Sequence, residues 1–173
     1  MLDNCCAFTG HRPHKLPWRY DETDSRCVAL KVALTGQITQ LVNVGVTAFY
    51  SGGADGVDCW ASLIVLELRQ KNPALKLHLL LPHEGQADRW SNSTQERYRL
   101  ILDQADSVEY VSQEYYEGCM LDRNHRLVEA AGVLLAVYNG ERRGGTAATV
   151  RYARKLGRKI ILLDPVSLKI AGE

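Results

Sequence analysis

Two periodicities alternate along this chain. Short apolar runs with strand character are separated by longer segments in which apolar residues recur every three or four positions. Cys5-Cys6-Ala7-Phe8-Thr9 is the first such run, ended by Gly10. Cys27, Leu30, Leu34, Ile38 and Leu41 then mark one face of a helix, with Asp24 placed to cap it and Gly45 placed to end it. Thr47 to Tyr50 is a second strand. It leads into Ser51-Gly52-Gly53-Ala54-Asp55-Gly56 and a helix marked by Val57, Trp60, Ala61, Ile64 and Leu68. Leu75 to Leu81 is apolar almost throughout, as expected of a strand covered on both faces. Ser93 and Glu96 have the spacing of a capping box before a helix through Tyr98, Ile101 and Ala105. Ser107 to Val111 reads as a weaker strand, about Glu117 to Ala131 as a helix, and Val133 to Tyr138 as the clearest strand of all. A helix ending at Gly157 and a last strand, Lys159 to Leu163, complete the pattern.

Strand and helix in strict alternation predict one α/β domain spanning 1–173. It is a Rossmann-like, doubly wound, mostly parallel sheet of about six strands with helices on both faces. Ligands of such sheets bind at the carboxyl ends of the strands, where strand order reverses. The loops after strands one, two, three and five share that edge. They contain Thr9-Gly10-His11-Arg12, the Ser51–Gly56 turn, His83-Glu84-Gly85-Gln86 and Gly144-Gly145-Thr146.

The chemistry of those loops is anion chemistry. Gly52, Gly53 and Gly56 lie in one strand-to-helix turn, and Gly144 and Gly145 in another. Free N–H groups at a helix N-terminus favour phosphate there. Neither turn is a GxGxxG fingerprint or a GxxxxGK[ST] loop, so tight packing between strand and helix is the competing reading. Thr146 can cap its helix or donate to a phosphate, and Arg12 can fork onto one. His83 and Glu84 lack metal-ligand spacing, and no metal is expected. Trp18, Trp60 and Trp90 are expected to pack.

Composition adds bounds. The chain has 173 residues, 46% hydrophobic and 24% charged, with a net charge of +1 that favours neither nucleic acid nor membrane. Five cysteines without CxxC spacing, and no secretory leader pattern, point to reduced thiols and a cytoplasmic protein. Charge is segregated: six acids and no base between Asp103 and Asp122, seven bases and no acid between Arg142 and Lys159. The basic segment carries the second glycine turn and raises the potential for an anion there.

Several of these motifs together resemble the YpsA-like branch of the SLOG superfamily: Thr9-Gly10-His11-Arg12-Pro13, Leu16-Pro17-Trp18, Ser51 through Trp60, Pro82 through Gln86 with Trp90, Cys119-Met120 with Arg123-Asn124, and Gly144-Gly145-Thr146. The resemblance implies a nucleotide or ADP-ribose-like phosphorylated ligand bound across the two glycine turns, in a sensor-like role. It implies phosphate contacts from Ser51, Gly52, Gly53, Gly56, Asp58, Gly144, Gly145 and Thr146, with Thr9, Gly10 and Arg12 closing the site and His11, Glu84, Gln86 and Asn124 in its pocket. Relatives in the superfamily include the "lonely guy" (LOG) phosphoribohydrolases and the DNA-processing protein DprA. Met120-Leu121-Asp122-Arg123-Asn124 matches the LOG motif MxxRK except at Asn124, which makes Arg123 the candidate catalytic residue. Thr149 stands where the LOG glutamate belongs and cannot replace its charge; Asp58, Glu84 and Glu129 are the alternative carboxylates. Leu63 and Ala131-Gly132 depart from the Glu and Ser-Asp expected of the branch. The alternatives to a binding protein are thus a LOG-like N-glycosidic hydrolase and DprA-like binding of single-stranded DNA. The expected partners are a small phosphorylated ligand, no nucleic acid, no membrane, and a second copy of the chain as a homo-oligomer.

Overall fold

The computed structural model describes residues 2–173. The strands are β1 (Cys5–Gly10), β2 (Ala48–Ser51), β3 (Lys76–Leu81), β4 (Ser107–Tyr110), β5 (Val133–Val137), β6 (Lys159–Leu163) and β7 (Ile170–Gly172). The helices are α1 (Ser25–Asn43), α2 (Val57–Arg69), α3 (Asn92–Gln104), α4 (Cys119–Ala130) and α5 (Gly145–Lys155). All seven strands join one sheet in the order β4-β3-β2-β1-β5-β6-β7. The first six are parallel and β7 runs antiparallel to β6.

The chain therefore winds outward from β1 to β4, then returns to the other side of β1 with β5. Right-handed crossovers in opposite directions place helices on opposite faces. Side chains alternate accordingly. Cys6, Phe8, Phe49, Leu77, Leu79, Leu81 and Leu135 pack under α1, α2 and α3. Ala7, Leu80, Leu134, Ala136 and Ile160 pack under α4 and α5. Phe8 and Phe49 stack at 5.6 Å in the first layer. β5 is buried along its whole length, which is why it reads so clearly.

Three local features depart from the sequence pattern. β7 is a seventh strand, added by a hairpin that turns back at Asp164 and forms bonds between Ile160 and Glu173 in both directions. The cap of α3 is Ser91, which accepts from the Thr94 N–H, so Ser93 and Glu96 do not form the box their spacing suggests. α5 is capped by Gly144 with no side-chain hydrogen bond, and Thr146 lies inside its first turn. Asp24 does cap α1, its Oδ1 accepting from the Arg26 N–H at 2.8 Å. Gly45, with φ of 100°, ends that helix as a left-handed residue.

Candidate functional site

The reversal of strand order lies between β1 and β5, and a cleft of about 360 Å3 opens there at the carboxyl ends of the strands. Its walls come from the β1–α1 loop, the turn before α2, α4 and the start of α5. It brings together Thr9, Gly10, His11 and Arg12 with Asp58, Arg123 and Asn124, and with Gly144, Gly145 and Thr146. Phe8, His14, Lys15, Ala54 and Met120 complete it. Lys15 stands beside the sequence motifs and Met120 within one, but only the fold shows that they line this cleft.

The two glycine turns differ. Before α2, the glycines make room for protein. A Cβ on Gly52 would lie 2.2 Å from Arg123 Nη1, one on Gly53 2.8 Å from Leu81, and one on Gly56 2.9 Å from Pro13. Gly10 likewise abuts Val57. Ser51 is buried and pins the turn, donating to the Asp58 carbonyl and accepting from the Gly53 N–H, both at 3.2 Å. Asp58, in the first turn of α2, already provides a carboxylate: its Oδ2 accepts from the Ala54 N–H at 3.2 Å. The α2 N-terminus thus carries an anion of its own. The α5 N-terminus has neither an acid in its first turn nor a capping side chain. Lys15 reaches over it, its ammonium 2.8 Å from where a Gly144 Cβ would be and 3.2 Å from Glu141.

Arg123 lies at the floor of the cleft, 4% exposed. Its Nη1 donates to the Gly52 carbonyl, and its Nε donates to Asn124 Oδ1 at 2.8 Å. It is therefore an internal residue. Burial lowers its pKa and raises that of Asp58, while the attraction between the two acts in the opposite direction on each. His11 is also buried, which lowers its pKa. Its Nε2 lies 2.9 Å from Asn139 Oδ1 and 3.3 Å from the Asn139 N–H.

Other candidates lie elsewhere. Glu84 lines a separate hollow of about 210 Å3 beside Asp88 and Arg99. Gln86 faces a larger cavity next to the cleft. Glu129 accepts from the Tyr152 hydroxyl at 2.6 Å, away from the cleft lining. Thr149 is fully buried and turns its hydroxyl back to the Gly145 carbonyl at 2.8 Å. No group of three or more His, Cys, Asp or Glu among the described residues could hold a metal ion.

Against this geometry, the model of the YspA SLOG family (YpsA) matches residues 6–164. The chain belongs to that family. Its relatives include UPF0398 proteins of Bacillus thuringiensis (strain Al Hakam) and Bacillus cereus (strain Q1), each 32% identical over 154 residues, covering 87% of this chain and 83% of the relative. The fold is similar to that of DNA processing protein A from Helicobacter pylori, a single-stranded DNA binder, with TM-score 0.63 and 19% identity. It is also similar to DprA from Streptococcus pneumoniae, with TM-score 0.60 and 16% identity. This family member covers 65% and 52% of those two chains, and 92% and 94% of its own length.

Proposed function

We propose that this YpsA-family chain binds a nucleotide or ADP-ribose-like phosphorylated ligand in the cleft at β1 and β5, as a sensor. The observation that carries the reading is the α5 N-terminus. Its first residues, Gly145 and Thr146, line the cleft with no side-chain cap and no acid, and Arg12, Lys15 and Arg123 share the same space. A helix end of this kind favours an anion, and the basic side chains add to it. The phosphate belongs at Gly144, Gly145 and Thr146. The earlier glycines act indirectly: Gly52 lets Arg123 reach the floor, while Gly53 and Gly56 leave room for Leu81 and Pro13. A thermal-shift screen with AMP, ADP-ribose, ribose 5-phosphate and cyclic dinucleotides tests the proposal. One of them should raise the Tm of the wild type and fail to do so for Arg12→Ala. If none shifts the wild type, the reading is wrong.

A hydrolytic reading has one observation in its favour. Of the three alternative carboxylates only Asp58 lines the cleft, facing Arg123. Release of ribose 5-phosphate from AMP, abolished in Asp58→Asn, would establish it; binding without turnover would exclude it. Likeness to DprA makes single-stranded DNA a third ligand to test. A near-neutral net charge argues against it, because phosphate contacts dominate such affinity. No helix among the described residues is long and apolar enough to cross a membrane, and Cys6, Cys27, Cys59 and Cys119 are free thiols. With the proposed small ligand, the reduced thiols favour a cytoplasmic setting.

A further inference from the structure

A cavity of about 500 Å3 borders the phosphate cleft at Arg12 and His14, the two residues that line both. Its own lining carries three arginines, Arg12, Arg19 and Arg89, and two carboxylates, Glu22 and Asp55. The carboxylates are already engaged. Glu22 accepts from Lys31 at 2.5 Å and from Arg97 at 2.8 Å. Asp55 accepts from Arg97 at 3.1 Å and from the Gly56 N–H at 2.8 Å. Lys31 and Arg97 thus cancel both negative charges. None of the three lining arginines takes part in an ion pair among the described residues. The cavity is left with three positive charges that the fold does not use. Like charges gathered around one space repel, and the arrangement becomes favourable when an anion enters.

The surrounding chain reinforces that charge. Arg19 is held at φ of 51°, a left-handed backbone that residues with a Cβ rarely adopt, and its N–H donates to the Leu16 carbonyl at 2.9 Å. Arg89 lies just before α3. Ser93 and Thr94, at the start of that helix, also line the cavity, and its first turn contains no acid. The positive end of the helix dipole therefore adds to the field of the arginines.

Resting on the phosphate reading above, we infer that this cavity is a second anion subsite for the same ligand, a small molecule with two phosphate groups on separate carbons of its sugar. Arg12, shared by the two cavities, sets the spacing. Charge-assisted bonds to opposite edges of its guanidinium place the acceptor oxygens about 8 Å apart, at about 2.8 Å per bond. The 3′ and 5′ phosphates of a nucleoside bisphosphate span that gap; the adjacent phosphates of a diphosphate do not. Calorimetric titration with AMP, ADP and adenosine 3′,5′-bisphosphate tests the inference, ADP being the control for added charge without the spacing. The wild type should bind the bisphosphate about tenfold more tightly than AMP or ADP, the scale of one charge-assisted hydrogen bond. In Arg19→Gln/Arg89→Gln the bisphosphate should fall to the level of AMP, with AMP itself unchanged, and each single substitution should remove part of the gain. Both side chains are exposed and outside any ion pair, so the variants should keep the wild-type Tm. Equal binding of all three compounds by the wild type, or of ADP and the bisphosphate, overturns the inference while leaving the phosphate reading intact. So does a loss in the double variant that is uniform across them. Further tightening from the bisphosphate to a 5′-phosphorylated tetranucleotide overturns it in favour of nucleic acid. If none of the three compounds binds the wild type, the phosphate reading fails and this inference falls with it.

Discussion

Gly52→Ala is the sharpest probe of the site's internal architecture. Gly52 does not have a positive φ, so alanine brings no backbone strain there. The new methyl would instead be placed 2.2 Å from Arg123 Nη1 and 2.6 Å from Cζ, distances no real Cβ tolerates. The guanidinium must move, giving up its bond to the Gly52 carbonyl and its place opposite Asp58. A hydrogen bond from a charged donor is worth about 1.5–3 kcal/mol, and the displacement also weakens the attraction between Arg123 and the nearby Asp58 carboxyl. The raised pKa of Asp58 softens the second term, since that carboxyl takes a proton more readily than an ordinary one. The expected cost is about 2–4 kcal/mol. At about 2–4 °C per kcal/mol for a chain of this size, Tm should fall by roughly 5–15 °C. Urea or thermal unfolding measures it, and a double-mutant cycle identifies the cause. In an Arg123→Leu background, whose side chain stops short of the clashing atoms, Gly52→Ala should cost less than about 1 kcal/mol. A cost of the same size in both backgrounds would refute the argument that Gly52 exists to admit Arg123.

Two further outcomes are expected. The buried His11 has a lowered pKa, so the unfolded chain binds its proton first as pH falls. Its contribution is intact above the ordinary imidazole value of about 6.5 and is lost below it. Urea midpoints at pH 7.5 and 5.5 should therefore differ less in His11→Gln than in the wild type. Thr146→Val, which deletes a hydroxyl in the cleft without changing side-chain shape, should keep the wild-type Tm yet weaken a phosphorylated ligand about tenfold, read by calorimetry.

Much of the scaffold was legible in the residues, and the reasons differ by element. β5 and the buried face of α1 declare themselves because each is immersed in core, so every position of β5 and every third or fourth of α1 must be apolar. β7 does not: Ile170-Ala171-Gly172 is exposed throughout and is a strand only because β6 offers it a ladder. The α3 cap was misplaced by two residues because Ser91 and Ser93 are chemically equivalent. Only backbone geometry distinguishes them, Ser91 being extended where the helix begins. The glycine turns were visible, but what each glycine accommodates was not. That depends on Arg123, Leu81 and Pro13 arriving from distant parts of the chain. Nor does anything near Arg123 in sequence announce its burial, because its partner Asp58 lies on another helix. Gln86 was recognisable as a pocket residue, but its unpaired oxygen emerges only once Gly52 and Tyr98 have claimed the other end of the amide.

The strand order has a consequence for how such molecules avoid sticking to one another. An open sheet ends in two ladders of unpaired backbone groups, each a template for a foreign strand. Here both margins are truncated. On one side stands β4, four residues long. On the other the chain folds β7 back across β6, so the longer, apolar β6 is no longer outermost, and the margin left over is three residues long. The Arg154–Glu173 ion pair, at 2.6 Å, fastens that flap to α5. Cutting away residues 170–173 would turn β6 into an adhesive border, and precipitation or filament growth, rather than altered ligand affinity, would be the first symptom.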